Sequence, residues 1–178
     1  MCTYSRVSKT PSPGVGPMTG ISPPARHTES NSEVRSPPFR TELIWKAHVE
    51  NKCKIFAWIL VQDKILTAHN LQKRGWPHQH QCVMCNGPLE TSLHLCLCCP
   101  FAKAVWGQIL SWENFTQLQQ HLQVHPTHIK SWWEDAAAKV PRSERRRLNG
   151  VVIYIFWNIW KERNRRIFDN LIETVPQG

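Results

Sequence analysis

Apolar positions begin to recur at helical spacing only from Leu43 onward. Leu43, Ile44, Trp45, Ala47 and Val49 lead into Ile55, Phe56, Trp58, Ile59 and Leu60, then Ile65 and Leu66. Ile55, Trp58 and Ile59 stand at i, i+3, i+4, which predicts a helix burying that face. Thr67 has the chemistry of an N-cap, its hydroxyl accepting an orphan backbone N–H. Residues 68–74 then read as a short helix, with Lys73 and Arg74 in its last turn and Gly75 just past its end as the stop. Residues 101–112 resume helical spacing through Ala102, Val105, Trp106, Ile109 and Leu110. The polar stretch 113–141 contains Trp132 and Trp133, the expected contacts of a further helix. The last element runs from Leu148 to about Ile172, apolar nearly all round over 151–160 and amphipathic beyond. Val151, Val152 and Ile153 have β-propensity, but the unbroken continuation through Lys161 and Arg166 favours one long helix. Leu43, Trp45 and the 151–160 stretch are expected to pack together.

Residues 1–40 have a different texture. They hold seven of the thirteen Pro with many Ser, Thr and Gly, and too few large apolar residues to offset the entropy of ordering. This stretch reads as a disordered tail.

Composition narrows the class. At 178 residues the chain suits one domain of ordinary size plus a tail. No apolar run approaches the roughly 20 residues that a bilayer span needs, so a membrane span is not expected. Lys+Arg number 22 against 13 Asp+Glu, a formal charge of +9 that favours polyanionic partners. Nine Trp are unusual in so short a chain; rings of that size fill cores or interfaces. Seven Cys are an odd number, and five of them (Cys82, Cys85, Cys96, Cys98 and Cys99) lie within eighteen residues. Thiolates reserved for a metal in a reducing compartment fit this better than a disulfide framework.

The chemistry sits in Cys82-Val-Met-Cys85, His94 and Cys96-Leu-Cys98-Cys99. A Cys-x-x-Cys turn places two thiolates on one side of an ion, and Asn86-Gly87 supplies the sharp exit. A His and a Cys about one helical turn apart close a zinc tetrahedron. By spacing alone the fourth ligand is open: Cys98 stands at i+4 from His94, Cys99 at i+5 and Cys96 at i+2, while His78 and His80 precede the cluster. Free, partly buried thiols with no metal are the bland alternative. The expected architecture is mostly α: a small helical domain with a zinc-knuckle-like loop, behind the Pro/Ser-rich tail.

Several motifs occur together in order. They are Lys54-Ile-Phe-Ala-Trp58, Thr67 with Asn70-Leu-Gln-Lys-Arg-Gly75, Cys82-x-x-Cys85, Glu90-Thr91 with His94-Leu95, Cys99-Pro100 and Val105-Trp106. The set resembles the zinc-binding domain downstream of the reverse transcriptase in plant LINE-type non-LTR retrotransposons. Trp157-Asn-Ile-Trp160-Lys-Glu-Arg-Asn164 with Arg166-Ile-Phe168 is similar to the segment that follows that module. In the family the last Cys precedes a Pro, so the resemblance implies Cys82, Cys85, His94 and Cys99 as ligands of Zn2+. It divides the chain into the tail 1–40, the zinc-binding domain 41–112 and a basic, Trp-rich helical extension 113–178. One departure is Glu50-Asn51 where the family often has Pro, which touches the first helix start and not the ligands.

Catalysis is not expected. The only Asp are Asp63, Asp135 and Asp169, none in the paired arrangement that a polymerase needs for two metal ions. A zinc hydrolase needs an open coordination position and a carboxylate base; with four soft ligands at hand, Glu90 reads instead as part of a helix cap with Thr91. The chain reads as a detached, non-catalytic fragment. Its expected partner is RNA or DNA, bound non-specifically through Lys73 and Arg74 next to the zinc loop. Arg142, Arg145, Arg146, Arg147, Arg163, Arg165 and Arg166 form an expected stripe, and exposed Trp76 is placed to stack on a base. Each basic residue has a plainer role as a solvated or dipole-complementing side chain. The alternative is a structural or protein-interaction module whose Trp-rich surface (Trp106, Trp132, Trp133, Trp157 and Trp160) forms a core or once packed on the polymerase.

Overall fold

A computed structural model describes residues 39–169 apart from Pro88 and Val124. The tail 1–38 and the last residues of the long helix expected to reach 172 lie outside the described residues. Six α-helices carry the fold: α1 Glu42–Trp45, α2 Asn51–Val61, α3 Ala68–Lys73, α4 Pro100–Trp112, α5 Ile129–Ala138 and α6 Arg145–Phe168. A π-helical turn, His94–Cys98, precedes α4, and two 3-10 turns, Thr116–Leu118 and Gln120–Leu122, lead toward α5. Among the described residues the only β pairing is an isolated antiparallel bridge between Gln81 and Leu89. No helix among them is long and apolar enough to cross a membrane.

The short helix α3 follows its local signals closely. Thr67 Oγ1 accepts the Asn70 backbone N–H at 3.4 Å. At the other end the Gly75 N–H reaches Gln72 O and the Trp76 N–H reaches Leu71 O, with Gly75 at φ +67°. That pair of bonds is the Schellman stop, and the positive φ is why glycine stands there. The turn before α3 is held by Asn70, whose side-chain amide donates to Asp63 O at 2.8 Å and Ile65 O at 2.9 Å.

On α2 the helix forms as expected, but the inward face differs. Cys53, Phe56, Ala57, Leu60 and Val61 are buried, while Ile55 and Trp58 are 52% and 39% exposed. The helix is apolar nearly all round, so two overlapping i, i+3, i+4 sets exist and periodicity alone does not choose between them. The choice is made by α6, whose Trp157 and Trp160 rings meet Phe56 at 5.3 and 6.0 Å. Trp45, expected to join Leu43 inside, is instead 49% exposed.

The long helix begins three residues earlier than Leu148, taking in Arg145, Arg146 and Arg147. It packs against α1, α2, α4, α5 and the π turn, so segments 41–112 and 113–178 contribute to one core. Gly150 allows a close approach here: a Cβ would meet Val49 Cγ1 at 3.6 Å and His48 O at 3.7 Å. At the centre lie Trp106 and Trp133, both fully buried, with Trp132 and Phe156. Ring centroids are 5.0 Å for Trp106–Trp132 and 5.4 Å for Trp106–Phe156. Trp106 Nε1 also donates to Cys96 O at 2.8 Å, linking this aromatic centre to the π turn. Trp106→Ala is therefore expected to cost about 3–5 kcal/mol in a urea titration, because it opens a cavity and orphans a buried carbonyl. A loss below about 1 kcal/mol would show that the ring is not a keystone of the core.

Candidate metal centre

The loop between the Gln81–Leu89 bridge partners folds back as a tight knuckle. Cys82 O accepts from the N–H groups of Cys85 at 3.3 Å and Asn86 at 2.7 Å, and Asn86 turns the chain with φ +54°. Asn tolerates that left-handed conformation better than most residues. Gly87 follows in a crowded place: a Cβ there would sit 3.0 Å from Cys85 Sγ and 3.9 Å from His94 Cε1. Cys85 Sγ thus sits tight against the backbone of the turn, with no room for a side chain at position 87.

The second half is built by a change of helix type. Thr91 Oγ1 accepts the His94 N–H at 3.0 Å, capping the turn. The Cys99 N–H then reaches His94 O at 2.7 Å, the i to i+5 bond that defines a π turn. It brings together two residues five apart, which an α-helix would hold on different faces. Pro100 forces Cys99 out of helical geometry (φ −61°, ψ 132°) and starts α4 as its first residue. Cys99 therefore sits where the π turn ends and the positive end of α4 begins.

Cys82, Cys85, His94 and Cys99 each offer one ligand atom, and all four atoms lie within 4.8 Å of one another. Cys85 Sγ is 3.4 Å from His94 Nε2. In a zinc tetrahedron the bonds of about 2.3 Å to sulfur and 2.0–2.1 Å to nitrogen separate two sulfurs by about 3.8 Å and a sulfur from a nitrogen by about 3.5 Å. The set fits a metal ion of that kind. Cys82 and Cys99 are fully buried, Cys85 and His94 half-buried. A hydrogen bond from the Cys82 thiol holds Cys99 well below the usual thiol range, helped by His94 and the Ala102 and Phe101 amides at the start of α4, against burial. The same bond, with burial, pushes Cys82 up.

Cys96 and Cys98 lie outside this group. Burial, and for Cys96 the nearby Glu90, pushes both thiols up. His78 and His80 are also outside it, their rings edge to face at 4.5 Å.

Two functional residues have roles that the sequence reading did not reach. Glu90 is 1% exposed and accepts from Arg163 Nε at 3.1 Å, Arg163 Nη2 at 2.8 Å and the Ala68 N–H at 3.2 Å. This buried ion pair clamps α6 and the start of α3 onto the residue that precedes the Thr91 cap. Arg163 is 4% exposed and also covers the Trp160 ring at 4.9 Å. Its expected place in a phosphate-binding stripe is therefore corrected: its donors are spent inside the fold. The signal was its register, since Phe156, Ile159 and Arg163 share the buried face of α6.

The remaining basic positions do not form one stripe beside the knuckle. Arg145, Arg146 and Arg147 lie at the start of α6 and Arg165 and Arg166 at its end, about 30 Å away at 1.5 Å per residue. Arg145 Nε donates to Val140 O, Arg146 Nε to Lys46 O, and Arg147 pairs with Glu113 and Glu144. Arg165 and Arg166 share Glu162, whose carboxyl their hydrogen bonds hold at about 2. Arg166 also lies over Phe101 and reaches Val83 O beside the knuckle. Lys73 and Arg74 are exposed at the end of α3, Arg74 above the Trp76 ring at 5.7 Å.

Residues 27–106 match a family described as zinc-binding in reverse transcriptase. A putative ribonuclease H protein of Arabidopsis thaliana is 25% identical over 67 residues, covering 38% of this chain and 11% of that relative. No solved structure matches the chain.

Proposed function

We propose that the chain, whose residues 27–106 match a family described as zinc-binding in reverse transcriptase, is a non-catalytic module of retrotransposon origin. In this reading one Zn2+ is held by Cys82, Cys85, His94 and Cys99, and the module binds RNA or DNA without sequence preference. The observation that carries it is the convergence of three sulfurs and one imidazole nitrogen within 4.8 Å. Four protein ligands fill a tetrahedron and leave no position for a reactive water, which makes the centre structural. Bound zinc supplies a cross-link between the knuckle and the π turn. The chain's own residues do the rest: Thr91 caps the turn, Pro100 ends it, and Glu90 with Arg163 fixes it to α6.

Nucleic-acid binding rests on the charge of +9 and on basic side chains that remain at the surface. Lys73 and Arg74 are the best placed, being exposed and outside every ion pair among the described residues. Affinity for an oligonucleotide should fall linearly on a log–log plot against salt, and Lys73→Ala with Arg74→Ala should flatten the slope by about 1–2. No detectable binding at low salt would sink this reading.

A second reading has its own observation. Trp45, Ile55, Trp58 and Trp112 are 49%, 52%, 39% and 81% exposed, and large side chains of this kind are what a protein partner would cover. A protein-interaction module would use these rings rather than Trp106, Trp132 and Trp133, which are buried. Its association would persist as salt rises.

A further inference from the structure

We propose that the cavity between α3, the loop after it and the C-terminal end of α6 receives one unpaired base of a single-stranded nucleic acid. This rests on the nucleic-acid reading above and gives it a binding site. The cavity measures about 610 Å³, within the range of small-ligand sites. Leu66, Leu71 and Ile167 make its apolar wall. Two aromatic rings at its edge remain open to solvent, Trp76 at 52% and Phe168 at 73%. A nucleobase stacking on such a ring covers it whatever the sequence.

His78 also lines the cavity, its Nδ1 bonded to Trp76 O at 2.9 Å. A further observation points to a nucleotide rather than a plain apolar ligand. Lys73 and Arg74 stand exposed on the neighbouring end of α3, Arg74 over Trp76, and supply the charge that the flanking phosphates need. A base within a duplex is stacked and paired on both sides, so the cavity selects single strands.

The test uses the full zinc-loaded chain, titrated with a labelled single-stranded 12-mer, made once as DNA and once as RNA, and with the same sequence as a blunt duplex. Trp76→Ala and Phe168→Ala should each weaken single-strand binding by roughly fivefold or more, leave the duplex unchanged and keep the salt slope. Trp76→Phe, which retains a stacking face, should restore most of the loss. A difference between the DNA and RNA arms identifies the natural strand. If both alanine variants bind the single strand as the parent does while the salt slope persists, the cavity proposal fails and the electrostatic reading stands. If the parent binds neither strand at low salt, both fail. Alanine variants that weaken the duplex as much as the single strand would overturn the proposal.

Discussion

Stripping zinc from the purified chain will unfold the segment 76–106 and lower the thermal midpoint of the whole domain. The physical reason is that the knuckle has little regular structure of its own and meets the π turn through the four ligand side chains. Between Trp76 and Thr91 the described residues hold no helix and only an isolated bridge, and Cys82 and Cys99 sit buried against each other. Structural zinc contributes on the order of 10–16 kcal/mol of apparent binding energy at neutral pH, and that energy is folding energy. Cys82→Ser and His94→Ala should reproduce the effect of a chelator, with loss of helical circular dichroism from the π turn and the first turns of α4. The damage will spread, because Trp106 in α4 hangs on Cys96 O. A melt that stays unchanged in excess chelator would mean that the four side chains are ordinary core thiols and a surface imidazole.

The second large effect is expected far from any ligand atom. Glu90→Ala should destabilise the fold by about 3–5 kcal/mol, since it leaves the Arg163 guanidinium buried with its charge uncompensated. Arg163→Ala should cost a similar amount by stranding the carboxylate. Replacing both by apolar side chains of like volume should recover most of the loss, because the pair repays its desolvation only when complete. A double-mutant cycle by urea denaturation measures this directly. If the two single losses simply add, the residues act independently and the clamp does not exist. The same cycle separates this role from phosphate binding: folded Arg163→Ala protein should keep the parental salt slope with oligonucleotides.

What could be read from the chain was what local chemistry decides. Thr67 and Gly75 bracket α3 through a hydroxyl cap and a left-handed stop, both short-range bonds. The Cys-x-x-Cys spacing and the Asn86 turn likewise need no distant partner. Where the outcome depended on packing, the pattern was silent or misleading. The apolar circumference of α2 offered two faces, and only Trp157 and Trp160 of α6 made Phe56 the inward one. Arg163 looked like its neighbours Arg165 and Arg166 until Glu90, 73 residues away, was brought to it. Spacing left Cys96, Cys98 and Cys99 open as partners of His94, because an α-helix favours i+4. The π turn, stopped by Pro100, is what carries Cys99 to the others.

The most direct test of the metal centre is the zinc K-edge X-ray absorption spectrum of the purified full-length chain. A first shell of three sulfurs at about 2.3 Å and one nitrogen at about 2.0–2.1 Å, with no water oxygen, is the predicted result. Absence of zinc, or a shell with fewer sulfurs and a bound oxygen, would contradict it.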